Sequence, residues 1–200
     1  MAENRSKEER IGEIINAAID EILEMGYDGA TMNSIARRAG LSKGGVYHHF
    51  SNKFEILLAA NNELFKPVDA IAQKCSCEAD PVKALSDFIE DYFSYWESNG
   101  KGIAFAFLTM SSLVMNGENS DYFDGYIEEF GKYFSQMYQR GIDEGVFRDI
   151  NVADCAYSLI ATMDYSCGVM AASEKYDGRY FTEKIKCQFV YDVMKNGGKN

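Results

Sequence analysis

The sequence predicts an all-α protein of about nine helices, with an N-terminal three-helix helix-turn-helix domain over residues 1–53 and a larger helical domain over 54–200. Three observations carry that prediction. Apolar residues recur at helical spacing along nearly the whole chain, in segments separated by Gly, Asn-Gly or Asp-Pro. Only two prolines, Pro67 and Pro81, occur in 200 residues. The stretch from Thr31 to Lys53, TMNSIARRAGLSKGGVYHHFSNK, reads as two short helices joined by a tight turn.

Taken in order, residues 1–8 are polar and expected to fray. Ile11, Ile14, Ile15, Ala18, Ile19, Ile22 and Leu23 form the buried stripe of a first helix, which Gly26 stops as its C-terminal cap. Thr31 caps the second helix, whose Ile35, Ala36 and Ala39 share one face. Gly40 turns the chain in the left-handed region, and Leu41, Val46 and Phe50 supply the facing apolar surface. The third helix begins at Ser42 and the fourth at Asn52, with Glu55 as its capping partner. Ile56, Leu57, Ala60, Leu64, Val68 and Ile71 then form one face of a long helix that Pro67 is expected to kink or end.

Asp80-Pro81 is a helix start, an N-cap followed by proline in the first turn, and that helix runs to about Ser98. Another spans Ile103 to Met115, closed by Asn116-Gly117, and a further one runs from Ser120 to Gly145. Asn151 caps a helix from Val152 to Ser173. The last helix covers Tyr180 to Met194, although the alternation in KIKCQFVY leaves a strand open there.

A hydrophobic content of 46% with 26% charged residues describes a folded globular chain. No apolar run approaches the roughly 18 residues needed to span a bilayer, and the expected location is the cytoplasm. Five cysteines, an odd number without framework spacing, read as free thiols of a reducing compartment. Charge is distributed unevenly. The chain carries a net charge of −11, yet Gly29 to Phe54 contains no Asp or Glu and holds Arg37, Arg38, Lys43, Lys53 and both histidines, His48 and His49. A positive island in an acidic protein points to a polyanion as partner.

Thr31 followed by IARRAG, then LSKGGVYHHF and NK with Glu55 and Leu57, resembles the DNA-binding domain of the TetR family of one-component transcriptional regulators. The resemblance covers residues 10 to about 58; the remainder is similar only in length and helical character. It implies a homodimer in which two recognition helices about 34 Å apart read a palindromic operator on double-stranded DNA. Read on their own chemistry, the residues agree. Ser42 caps the recognition helix or meets a phosphate, Lys43 reaches guanine O6 or N7, and Gly44 lets the backbone approach the duplex closely. Tyr47 offers its hydroxyl to a phosphate or its ring to a thymine methyl, and His48 or His49 donates to the backbone. Lys53 and Thr31 are further phosphate contacts. Tyr47 and one histidine serve equally well to close the small core of the head. Gly45 stands where many relatives have Thr, so one phosphate contact common in the family is absent.

Residues 54–200 contain no histidine and none of the nucleophile, zinc or phosphate-loop motifs, so neither an enzyme nor a cofactor or metal is expected. What they offer is aromatic and methionine-rich helices. Tyr92, Phe93, Trp96, Phe105, Phe107, Met110, Tyr126, Phe130, Tyr133, Met137, Met163, Tyr165 and Met170, with Cys167, are either ordinary core or the lining of a pocket, and the resemblance favours a pocket for a small aromatic or hydrophobic effector. Asp164 or Glu90, if interior, would suit a cationic ligand. Small and apolar residues of the last two helices, among them Ala153, Ala156, Ala161, Gly168 and Ile185, suit a two-fold helical interface. The expectation is therefore a homodimeric, ligand-responsive repressor. A thiol-responsive sensor using Cys75, Cys77, Cys155, Cys167 or Cys187, and a helical carrier or enzyme with a vestigial head, are the alternatives.

Overall fold

The computed structural model describes residues 6–116 and 120–195. Among them are nine α-helices: α1 Lys7–Gly29, α2 Met32–Arg38, α3 Lys43–Tyr47, α4 Lys53–Ser76, α5 Pro81–Glu97, α6 Gly100–Asn116, α7 Ser120–Asp143, α8 Val152–Ala172 and α9 Gly178–Lys186. A single π turn, Cys187–Tyr191, continues α9. The described residues divide into two compact units. The first holds residues up to Lys66 together with those from Ala104 to the end of α6; the second holds Pro67 to Ile103 and the residues from α7 onward. The two units meet along α4 at Pro67, which neither ends that helix nor donates a backbone hydrogen bond to it.

In the first unit the helix ends follow from local chemistry. The expected fraying stops at Ser6, whose hydroxyl accepts from the Glu9 amide at 3.1 Å while the Glu9 carboxylate accepts from the Ser6 amide at 2.7 Å, so α1 begins two residues before Glu9. Residues 1–5 lie outside the described residues. Gly26 breaks the helix at φ 75°, as a left-handed glycine does, and Gly40 turns the chain between α2 and α3 at φ 66°. Asn52 accepts from the Glu55 amide at 2.9 Å and starts α4, while the Glu55 carboxylate reaches back to the Ser51 amide at 2.7 Å.

The core of this unit gathers Ile14, Ile22, Ile35, Val46 and Leu57, and it also takes Phe105 from α6. Phe105 was expected in the pocket of the larger domain; the structure buries it completely in the core of the first unit. Phe107 and Met110 belong to the same segment and are exposed, at 39% and 42%. These three residues lie two and three positions apart on one helix, so they point in different directions and only Phe105 reaches the core.

In the second unit, Asp80 caps α5 by accepting from the Val82 amide at 2.9 Å, and Phe88, Ile89, Tyr92, Phe93 and Trp96 form its buried face. Asn99 starts α6 earlier than expected, at Gly100 rather than Ile103, because its side chain accepts from the Gly102 amide at 3.2 Å. Asn116 ends α6, and the glycine expected to follow it lies outside the described residues. Asn151 and Asp177 cap α8 and α9. The KIKCQFVY stretch is helical: Ile185, Phe189 and Val193 are buried at successive turns. Only beyond it does an isolated antiparallel bridge join Met194 to Phe147.

Candidate nucleic-acid interface

Helices α2 and α3 carry the expected contact residues, and their caps set the geometry. The Thr31 hydroxyl accepts from the Ser34 amide at 3.0 Å, and the Ser42 hydroxyl accepts from the Gly45 amide at 3.1 Å. The turn between them closes through the Leu41 amide on the Ala36 carbonyl at 2.9 Å. Val46 is the buried residue of α3, which leaves Ser42, Lys43, Gly44, Tyr47 and His48 exposed along the rest of the helix and its C-cap. The Lys43 ammonium lies 5.5 Å from the centre of the Tyr47 ring, so one exposed edge presents a cation and an aromatic hydroxyl together.

His49 departs from its neighbour. Its ring is 5.0 Å from that of His48 but half-buried, and its Nδ1 is sealed from solvent. Burial first, and then the positive charges of His48, Lys7 and Arg10, hold its pKa below the usual imidazole value, which keeps it neutral at pH 7. His48 is the exposed one of the two.

Two cations of the positive island are engaged by partners within the chain. Arg38 Nε donates to Glu21 Oε2 at 2.7 Å and Nη2 donates to Glu24, tying α2 to α1. The Glu21 carboxyl is held below the usual carboxylate range chiefly by that hydrogen bond from Arg38. Lys53 was expected on a phosphate. Its ammonium instead donates to the carbonyls of Tyr27 and of Ala30, the latter at 2.8 Å, and sits 4.0 Å from the centre of the Tyr27 ring. Burial lowers its pKa. Lys53 thus clamps the C-terminal turn of α1 to the start of α4. Lys53→Met, which keeps the stem and deletes the ammonium, is expected to cost the domain about 1–3 kcal/mol by leaving two carbonyls without their donor. Urea denaturation checks this; an unchanged midpoint would return Lys53 to the set of pure phosphate contacts.

The second unit holds the candidate effector region. Tyr92 on α5 and Tyr126 on α7 both donate to the Asp164 carboxylate on α8, Tyr92 at 2.7 Å to Oδ1 and Tyr126 at 3.0 and 3.1 Å to its two oxygens. Asp164 keeps some exposed residue surface, yet its carboxylate is bound to the phenol of Tyr92, which is 3% exposed. Burial pushes its pKa up to about 6 against the pull of the two phenols. Phe93, Trp96 and Phe130 surround this group, with ring centres 5.4 and 6.2 Å from Tyr92 for the first two and 4.9 Å from Tyr126 for the third. Cys167, one turn beyond Asp164, is buried, and its thiol is raised to about 12 by burial. Met137 and Met163 are core residues at 1% and 2% exposure. The Tyr133 hydroxyl donates to Asp69 at 3.3 Å. Phe107 and Met110 do not join these residues, because they belong to the first unit.

A cleft of about 300 Å³ opens beside this cluster within the same unit, with Trp96, Ile103 and Met170 in its lining and the carboxylates of Glu97, Glu174 and Asp177 around it. Sequence reasoning named Trp96 and Asp164 and missed the acidic rim. Glu174 and Asp177 stand in a polar connection that carries no periodicity, and only folding brings them beside α5. Among the described residues no group of three His, Cys, Asp or Glu side chains is arranged to hold a metal, and no helix is long and apolar enough to cross a membrane.

Residues 14–60 match the family model described as bacterial regulatory proteins, tetR family. The chain is 32% identical over 102 residues to the HTH-type transcriptional activator FasR of Mycolicibacterium smegmatis, an alignment covering 50% of this chain and 47% of that protein, about half its length. It is 25% identical over 178 residues to the fatty acid metabolism regulator protein of Bacillus subtilis, covering 86% and 90% of the two chains. The structure of the transcriptional regulator FadR from Bacillus subtilis in complex with stearoyl-CoA shares the fold at a TM-score of 0.74 and 19% identity, over 90% of this chain and 97% of that one. Residues 14–60 thus form a helix-turn-helix domain of the tetR family, and the chain is similar to bacterial DNA-binding transcriptional regulators that carry it.

Proposed function

We propose that this regulator is a homodimeric repressor, released from a palindromic operator when a small aromatic or hydrophobic molecule binds the second unit. The observation that carries the reading is the exposed Lys43, Tyr47 and His48 edge of α3 on a capped helix-turn-helix whose acid-free stretch contrasts with the chain's net charge of −11. Dimerisation draws support from α8, where Tyr157, Ala161 and Tyr165 stand exposed at successive turns, Tyr165 at 73%. A hydrophobic effector is supported by the aromatic interior around Tyr92 and by the fatty acid metabolism regulator among the relatives. The effector would favour one arrangement of α4, shift the spacing of the recognition helices, and oppose DNA binding through a coupling free energy of about 1–3 kcal/mol.

Fluorescence anisotropy of the full-length protein on DNA from its own upstream region, against scrambled DNA across a salt series, tests this reading. Lys43→Ala is expected to weaken specific binding by about 1–3 kcal/mol, roughly 5- to 150-fold, and to relax discrimination between the two DNAs. Equal, weak binding of wild type to both DNAs would overturn it. Activation in place of repression is the second reading, favoured by the activator among the relatives. A thiol switch has less support, since burial raises the Cys75 and Cys167 thiols to about 11 and about 12 and keeps them protonated.

A further inference from the structure

The interior of the second unit has a charge character that a purely apolar effector does not explain. Three helices converge on one carboxylate, and the partners that hold it are two neutral phenols, Tyr92 and Tyr126. Two phenol hydrogen bonds offset only part of the cost of burying an ionised carboxylate, and a positive group beside it would offset more. Aromatic rings, the best neutral partners for a cation in a dry site, pack on the two phenols: the Trp96 ring centre lies 6.2 Å from that of Tyr92, and that of Phe130 lies 4.9 Å from that of Tyr126. Trp96 also lines the 300 Å³ cleft, so one aromatic ring connects the cleft to the ring that holds Asp164. The lining of the cleft includes Glu97, Glu174 and Asp177; Glu97 accepts from the Gly178 amide at 3.1 Å and Asp177 from the Tyr180 amide at 2.8 Å, which leaves Glu174 as the exposed acid of the rim that caps no amide. Negative groups at an entrance lined with aromatic and methionine side chains raise the local concentration of cations and exclude anions.

We propose that the effector site takes a hydrophobic cation, gathered by the acidic rim over Trp96 and neutralised by the Asp164 carboxylate one ring further in. This rests on the reading of the second unit as an effector domain and names the ligand's chemical class. The occupant is a molecule with an apolar body and a positively charged nitrogen or phosphorus centre. An acyl chain ending in a carboxylate or phosphate is disfavoured, because its headgroup meets like charge at the rim and again at Asp164.

Binding of such a cation depends on pH in a defined direction. The titratable groups facing Asp164 are Tyr92 on α5, Tyr126 on α7 and Cys167 on α8, and burial keeps all three protonated through neutral pH. Asp164 alone changes charge near pH 6. Below that value the cation must displace a proton, so its affinity falls as the medium is acidified.

Tetraphenylphosphonium and tetraphenylborate, two ions of the same shape and opposite sign, separate charge from hydrophobicity. Isothermal titration of the full-length protein is expected to give affinity for the phosphonium at least about tenfold above that for the borate. Asp164→Asn, which keeps an acceptor for both phenols, is expected to weaken phosphonium binding about tenfold or more and to abolish its fall below pH 6. Glu174→Gln, on the exposed rim, is expected to weaken it about twofold and flatten its salt dependence with no effect on folding. Equal affinity for the two ions, or a phosphonium affinity indifferent to both substitutions, overturns the proposal. Operator binding in the same solutions reads the effector role separately: phosphonium that binds through Asp164 but leaves DNA affinity unchanged upholds the cation site and removes the coupling. Release of DNA by stearoyl-CoA, together with no binding of phosphonium, upholds the effector domain and removes the cation.

Discussion

Gly141→Ala is expected to destabilise the second unit by about 3 kcal/mol, the upper part of the range for overpacking a filled core. A Cβ at this position would stand 2.1 Å from Cδ2 and 2.4 Å from Cε2 of the Phe147 ring. Relief by moving the ring is blocked. Phe147 is fully buried, its ring centre lies 6.0 Å from that of Tyr138, and the Tyr138 hydroxyl is fixed on the Phe189 carbonyl at 2.9 Å. Its backbone is pinned on both sides as well. Arg148 donates to the Val193 carbonyl at 2.9 Å and Lys195 donates to the Val146 carbonyl at 3.0 Å, while the amides of Val146 and Phe147 both turn back onto the Gly141 carbonyl at 2.9 Å. The end of α7 and the segment after the π turn therefore form one lock, with glycine as the only residue that fits beneath the ring. Urea denaturation followed by circular dichroism measures the effect, with Gly125→Ala as the control. No atom lies within 4 Å of a Cβ at position 125 of the same helix, so alanine there is expected to be neutral or to stabilise by up to about 1 kcal/mol. If Gly141→Ala unfolds at the same urea concentration as that control, the lock does not exist as described.

Neither this lock nor the Asp164 cluster was directly legible in the sequence. Helix ends were, because Ser, Asn and Asp caps and left-handed glycines act within three or four residues of chain: Thr31, Ser42, Asn52, Asp80 and Asn151 all cap the helices expected of them. Buried faces were legible wherever 3.6-residue spacing reports them, as for Phe88, Tyr92 and Trp96 on α5. Spacing does not say which core a face joins. Phe105 carries the same periodic signal as the pocket candidates, and only the folded chain places it with Ile14 and Ile35 in the first unit. Charge misled in a related way. The count of cations between Gly29 and Phe54 is correct, but Arg38 and Lys53 are committed to Glu21, Glu24 and two carbonyls, partners at sequence separations of 14 to 26 that no local pattern encodes. Asp164 was readable as a possibility and no more. What makes it distinctive is the convergence of Tyr92 and Tyr126, 72 and 38 residues away.

Asp164 also governs how the stability of the free protein depends on pH. In the unfolded chain its carboxyl titrates near the ordinary 3.8, whereas in the folded unit burial raises the value to about 6. Between those limits the folded state holds a proton that the unfolded state has lost, so this group's contribution is greatest below about pH 3.8 and is lost as pH rises through 6. A separation of about two units corresponds to about 3 kcal/mol. Other carboxylates oppose the trend, since Glu21 and Glu78 are held below the usual range by Arg38 and Lys83 and lose their stabilising contribution on acidification. The quantity to measure is therefore the difference between wild type and Asp164→Asn, in which those common terms cancel. From urea denaturation at intervals between pH 4.5 and 7.5, wild type is expected to lose ground to the variant by roughly 2 kcal/mol as pH rises to about 7, and to hold a constant difference above it. A difference that stays flat from pH 4.5 to 7.5 would place the carboxylate in water rather than between the two phenols. At neutral pH the folded protein thus carries an ionised carboxylate at a cost, and a bound cation that removes the cost gains that free energy toward its own affinity.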